Sequence, residues 1–176
     1  MNTIAQRITA AGQILGCYHD KDTMGSMHGM LVSDGNYVAL DGTENGIDMP
    51  ASMNDGGTPD AGLITGQYTD STGKTRGYLL SGGTFTPFDV PGSLATSAWD
   101  INPSGEIVGV YVDASLKTHG FLMTGGEFFS IDFPAPGVKR TQAFGINPQG
   151  DVVGVYADAA GATHGFLLTR TRHPGK

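Results

Sequence analysis

The feature that most constrains this chain is a nine-residue segment that occurs four times along its 176 residues. Each copy begins with Gly, has a second Gly at its fifth position and ends in Tyr-x-Asp; the copies occupy residues 12–20, 62–70, 105–113 and 150–158. Each is followed by a second motif: His28-Gly-Met-Leu, Arg76-Gly-Tyr-Leu, His119-Gly-Phe-Leu or His164-Gly-Phe-Leu. The chain is therefore interpreted as one domain of four repeats of about 45 residues at 1–47, 48–93, 94–138 and 139–169, with a basic tail at 170–176.

The residue pattern within a repeat predicts short strands separated by hairpin turns. In the third copy of the segment, one face of the strand would carry Ile107, Gly109 and Tyr111, and the other would carry three valines. Both faces are apolar, so both are expected to be covered, and Gly109 is expected to leave room for an aromatic ring of a neighbouring repeat. We therefore expect an all-β chain folded as a small β-propeller of four blades.

The fourth repeat is shorter than the others. It ends after Leu168 without the Phe-x-x-x-Asp pattern that predicts a fourth strand elsewhere. The last blade is expected to have three strands and an open edge. The chain would then be a monomer with that edge exposed or a homodimer in which a second chain covers it.

Composition narrows the classes of partner and the location. The net charge of −7 argues against nucleic acid, because backbone phosphates would be repelled. No apolar run is long enough for a membrane span, and no signal-peptide pattern opens the chain. Cys17, the only cysteine, takes the place of Val110 and is expected to be a buried apolar residue.

The order of the motifs resembles the blades of WD-repeat proteins, and more closely the bacterial HAF-type repeat, named for a His-Ala-Phe tripeptide. The corresponding positions here read His119-Gly120-Phe121 and His164-Gly-Phe, and Asp-x-Pro-Gly occurs at residues 89–92. Arg76 and Met30 depart from the pattern, in repeats two and one. The resemblance implies an extracellular or periplasmic repeat protein and carries no specific activity; a cytoplasmic location stays open.

The aspartates and histidines of the two motifs look at first like metal ligands. The histidine begins the third strand, too far from the axis for four of them to meet at one ion. We expect pairs within each hairpin instead: Asp113 with His119, Asp158 with His164, and Asp70 with Arg76. A weaker pattern, Asp20-Lys-Asp22, faintly resembles a calcium loop and makes these two aspartates candidate ligands of a divalent cation.

One position of the innermost strand changes in kind between repeats, reading Arg7, Ser52, Asp100 and Gly145. Arg7 and Asp100 would stand across the axis from each other. They would form either a salt bridge that plugs a narrow channel or the charged part of a polar site. Trp99 adjoins Asp100 and is either a core residue or a stacking platform.

Two functions and one structural alternative follow from these residues. The first is a ligand-binding or interaction propeller that holds a small molecule, glycan or peptide over the channel, on the face of the loops between second and third strands. Its binding residues would be Arg7, Asp100, Trp99, His28 and Arg76. The second is a hydrolase of esters, lactones or phosphoesters in which Asp100, Arg7 and His28 are catalytic. A divalent metal ion could assist this hydrolysis. The third is a structural part of a longer array.

Overall fold

The computed structural model describes residues 2–19, 27–40, 48–54 and 62–170. Within these ranges the structure is all-β, with fifteen strands and no helix. It follows that none of the described segments forms a helix capable of crossing a membrane. The predicted all-β class is confirmed.

The strands form four antiparallel groups, in chain order, that we call units one to four. Unit one consists of β1 (Asn2–Ile8), β2 (Ile14–His19), β3 (Met27–Ser33) and β4 (Asn36–Ala39). Unit two consists of β5 (Asp48–Met53), β6 (Ile64–Thr69), β7 (Thr75–Ser81) and β8 (Thr84–Phe88). Unit three consists of β9 (Ala95–Ile101), β10 (Ile107–Val112), β11 (Thr118–Thr124) and β12 (Glu127–Ile131). Unit four consists of β13 (Arg140–Ile146), β14 (Val152–Ala157) and β15 (Thr163–Leu168).

The sheets do not coincide with the predicted set of four. Units one and two are separate four-stranded sheets, whereas units three and four share a seven-stranded sheet. A single parallel bridge between Thr118 and Arg140 joins these two units. The three strands described for unit four agree with the predicted short last unit; residues 171–176 of the tail lie outside the described residues.

The hydrophobic core lies between consecutive units. Leu15 and Leu31 of unit one pack with Ile64 and Tyr78 of unit two. Two further clusters join unit two to unit three and unit three to unit four in the same way. No comparable cluster joins the described parts of units four and one. Each unit is therefore held by the apolar face of its neighbour along the chain.

The second strand of every unit contains a glycine, and the structure explains this glycine differently from the sequence analysis. A Cβ on Gly109 would lie 2.1 Å from the carbonyl oxygen of Ser97 and 2.7 Å from the ring of Phe121. Both neighbours belong to unit three itself, so the prediction that Gly109 makes room for a ring of a neighbouring repeat is wrong. Gly16, Gly66 and Gly154 meet a carbonyl oxygen of the first strand at 2.0–2.2 Å in the same way. This close approach fixes how the first strand lies on the second.

Candidate functional site

The first strand of every unit contains a one-residue irregularity in its pairing with the second. The pairing skips one residue in each case: Gln6, Ala51, Trp99 and Phe144. Such a β-bulge bends a strand and changes the direction of the side chains beside it. The next residue in each unit is the variable position identified in the sequence: Arg7, Ser52, Asp100 and Gly145. The bulges thus set the geometry of that position in all four units.

Asp100 is the point where the four units meet. Its carboxylate accepts hydrogen bonds from the guanidinium of Arg7 and from the Ser52 hydroxyl, the latter at 2.6 Å. It also accepts from the backbone N–H of Ile146, at 2.9 Å, and from that of Ile101, at 3.0 Å. Only 5 % of the residue is exposed, and four donors compensate the buried charge. Arg7 and Asp100 form a salt bridge, which is one of the two arrangements expected from the sequence, and this salt bridge belongs to a larger network.

Arg7 differs from Asp100 in its exposure. Its side chain is 43 % exposed and borders a cavity of about 460 Å³. The cavity is bounded by all four units, through Gln6, Arg7, Ile8, Met53, Asn54, Ile101, Asn102, Pro103, Ile146 and Pro148. Arg7 is the only charged residue among these lining residues. Asp100 thus holds the guanidinium of Arg7 at the edge of a cavity that is otherwise bounded by amide and apolar side chains.

The turns between first and second strands frame this cavity and are linked by asparagines. The Asn54 side chain donates to the Asn102 carbonyl at 3.5 Å, and the Asn102 side chain donates to the Asn147 carbonyl at 3.2 Å. Asn102 also donates to Glu106, which accepts from Arg170 at 2.7 Å. Burial raises the pKa of Glu106, but the hydrogen bonds from Arg170 and Asn102 outweigh it and the net pKa is lowered. These links between units escaped the sequence interpretation, although the asparagines recur at similar spacing.

The structure does not bring His28 and Arg76 to the cavity. In the strand registers, both lie level with the start of the first strand, opposite Tyr18 and Tyr68. That level is four residues from Arg7 or Ser52, or about 13 Å along a strand. The cavity opens beside the turns between first and second strands, at the other end of the units from the face that the sequence favoured. A hydrolase using Asp100, Arg7 and His28 would need all three to converge, which this arrangement does not provide.

Trp99 is not among the residues that line the cavity. It contacts Phe144 edge to face, with 5.8 Å between ring centroids. Both are the bulge residues of adjacent units, so this contact helps to hold β9 against β13. This arrangement favours the packing role for Trp99 over a role as a stacking platform.

The expected pairs of the hairpins are present. His119 Nε2 lies 3.1 Å from Asp113, and His164 Nε2 lies 2.8 Å from Asp158. Arg76 donates to Asp70 at 2.7 Å. The predicted pairing within each hairpin is therefore confirmed in units two, three and four.

A second carboxylate, after the fourth strand, was missed from the sequence. His119 Nδ1 lies 2.7 Å from Asp132, and Arg76 contacts Asp89 at 3.2 Å. The Arg76 or His119 side chain of the third strand thus bridges two hairpins in units two and three. The pKa of Asp113 is lowered by the Lys117 backbone N–H and by His119, and the pKa of Asp158 is lowered by His164.

The remaining candidate residues concern metal and thiol chemistry. Asp20 and Asp22 lie outside the described residues. Elsewhere, in the described ranges, no three His, Cys, Asp or Glu side chains are grouped so as to hold an ion. Cys17 is buried, as predicted, and burial raises the pKa of its thiol.

No protein-family model matches the chain, and no curated protein is significantly similar to it.

Proposed function

We propose that this chain is a ligand-binding module of the β-propeller type. A small molecule or glycan with a carboxylate group would sit in the cavity beside Arg7. The observation that carries this proposal is the cavity itself: all four units border it, and its single charged lining residue is an arginine fixed by a buried aspartate.

The packing of the units supports the propeller part of the proposal. The first strand of each following unit contacts several strands of the unit before it: β5 contacts β1–β3, β9 contacts β5–β7, and β13 contacts β9–β12. This order of contacts is the one expected if the first strands are innermost, as in blades around an axis. The HAF-type resemblance and an extracellular or periplasmic location belong to the same proposal.

The electrostatics of the cavity favour a ligand with a negative or strongly accepting group. A guanidinium has five N–H donors, and only part of them face Asp100. An aspartate engaged by four donors is poorly suited to transfer protons, whereas it is well suited to hold Arg7 in place. The apolar residues around the cavity, such as Ile8 and Ile146, would contact the body of the ligand.

The proposal can be tested with a pair of sugars that differ in one group. Glucuronic acid and glucose are titrated against the protein, and binding is followed by ligand-observed NMR. We expect binding of the uronic acid to exceed that of glucose, and Arg7→Gln to abolish the difference. Arg140→Gln is the matched control, because it removes an arginine from the opposite end of a first strand, β13 of unit four.

Melting temperatures of both variants are measured alongside. Loss of uronic acid binding in Arg7→Gln, with little change in stability, supports a site. Equal binding of the two sugars, or equal loss in Arg140→Gln, would show that the cavity does not recognise a carboxylate.

A further inference from the structure

The outer edge of unit four differs from that of the other units. In units one to three, a fourth strand carries an aromatic residue at its second position, namely Tyr37, Phe85 or Phe128. These residues pair with Val32, Leu80 and Met123 of the third strand. The corresponding residue of β15 is Leu168, which is 46 % exposed. It pairs with Val152 of β14 on one side, and no strand lies on its other side in the described part of the chain.

A cavity occupies the place where this aromatic residue would lie. In unit three, Phe128 packs against Phe121 of its own third strand and Phe88 of the preceding unit, with centroids 5.8 and 6.0 Å away. The counterparts of Phe121 and Phe88 are Phe166 of unit four and Ile131 of unit three. Phe128 has no counterpart here. A cavity of about 400 Å³ lies in its place and is lined by Ser130, Ile131, Asp132, Phe133, Pro134, Phe166, Leu167 and Leu168. Its volume is within the usual range for a ligand site.

The glycine of the third strand gives a second, independent observation. A Cβ on Gly77 would lie 2.4 Å from the ring of Phe88, at the end of the fourth strand of unit two. On Gly120 it would lie 3.2 Å from the carbonyl oxygen of Ile131. On Gly165 of unit four it would meet only a backbone oxygen at 3.9 Å. The space that a fourth strand fills elsewhere is therefore open beside β15.

The Arg and His residues near the start of the third strand show the same difference. Arg76 and His119 each contact two aspartates, of which the second, Asp89 or Asp132, follows the fourth strand. Among the described residues, Asp158 is the only carboxylate that His164 contacts, and the His164 side chain is 44 % exposed. A carboxylate after an added strand would complete this pair.

We propose that β15 and the cavity beside it form an acceptor site for an extended β-strand supplied by another polypeptide. The strand would carry an aromatic residue for the cavity, followed by an apolar residue over Gly165 and an aspartate next to His164. Main-chain hydrogen bonds to a free sheet edge supply affinity in such complexes, and side-chain pockets supply specificity. The occupant comes from outside units one to three, because the aromatic residues of their fourth strands already pair within their own units.

The test uses a peptide copied from unit two, residues 82–89, with the sequence Gly-Gly-Thr-Phe-Thr-Pro-Phe-Asp. Its proline limits self-association of the strand. Fluorescein-labelled peptide is titrated with the full chain, and anisotropy is measured. We expect saturable binding of one peptide per chain, slower amide exchange in β15, and at least about tenfold weaker binding of the Phe85→Ala peptide.

Two variants of the chain locate the site. Gly165→Val should abolish peptide binding without lowering the melting temperature, because its side chain would occupy the space needed by the peptide's Phe88. Val153→Thr changes an exposed residue of the same unit outside the cavity and should leave binding intact.

Three outcomes would overturn the proposal. They are no binding of the peptide, equal binding of the Phe85→Ala peptide, and binding that Gly165→Val leaves unchanged. Light scattering tests the alternative that a second copy of the chain occupies the edge. If Gly165→Val dissociates a dimer and the peptide does not, the edge serves self-association.

Discussion

Replacing Asp100 with alanine removes the acceptor shared by the units and should destabilise the whole molecule. Two buried donors from other units would lose their partner, the Ser52 hydroxyl and the Ile146 N–H. Each unsatisfied buried donor costs about 1–3 kcal/mol, so we expect a loss of about 2–6 kcal/mol in the free energy of unfolding. A domain of this size has about 5–15 kcal/mol in total, so the variant should fold but unfold at much lower urea.

Arg7→Gln provides the contrast. The Arg7 side chain is 43 % exposed, so water can take the place of its guanidinium beside Asp100, and we expect a loss of about 1 kcal/mol. Asp100 would retain the three other donors. The network is therefore expected to be asymmetric: the aspartate matters for stability much more than the arginine.

Urea unfolding followed by fluorescence measures both variants. Trp99 is the only tryptophan and adjoins Asp100, so its emission reports on this part of the molecule. Linear extrapolation gives the free energy of unfolding, and an unchanged slope shows that the unfolded state is comparable. A loss below about 1 kcal/mol in Asp100→Ala, or an equal loss in Arg7→Gln, would refute the role of Asp100 as the centre of the network.

Three further predictions follow from the contacts described above. Gly109→Ala should lower the free energy of unfolding in urea by about 3 kcal/mol or more, because its Cβ would lie 2.1 Å from a backbone oxygen. Gly165→Ala should be nearly neutral, and similar losses in both variants would contradict the steric explanation. Because the pKa of Glu106 is lowered in the folded state, the unfolded state binds more protons below about pH 4.5, and stability should fall as the pH drops through the folded-state pKa. Glu106→Gln should reduce this pH dependence in melting curves at pH 3–5. His119→Ala should lower the melting temperature by no more than a few degrees and leave uronic acid binding intact, because the histidine joins two hairpins away from the cavity; loss of binding would place it in the site.

The parts of the fold that follow from pairs at fixed sequence spacing could be predicted. Asp113 and His119 are six residues apart across one hairpin, and the spacing recurs, so their contact follows from strand pairing alone. Arg7 and Asp100 were paired because they occupy equivalent positions with opposite charge. A contact between side chains that repeat in register leaves a clear signal in the sequence.

The bulges and the backbone partners of Asp100 left no such signal. The four skipped residues are Gln6, Ala51, Trp99 and Phe144, which share neither size nor polarity. The N–H of Ile146 is a donor that every residue except proline has. Because the bulges decide where Arg7 and Asp100 are directed, the position of the cavity depended on features that residue types do not encode.

Burial at the two ends of the array shows the same limit most clearly. Val108 and Val153 occupy the same position of the second strand in units three and four, yet they are 0 % and 49 % exposed. Ile101 and Ile8 are equivalent positions of the first strand and are 3 % and 70 % exposed. In each pair the residue type and local structure are the same, and the members differ in whether a neighbouring unit packs against them within the described residues. Any rule that assigns burial from periodicity gives both members the same value, so the apolar surfaces of units one and four follow from their place in the array and not from their own sequences.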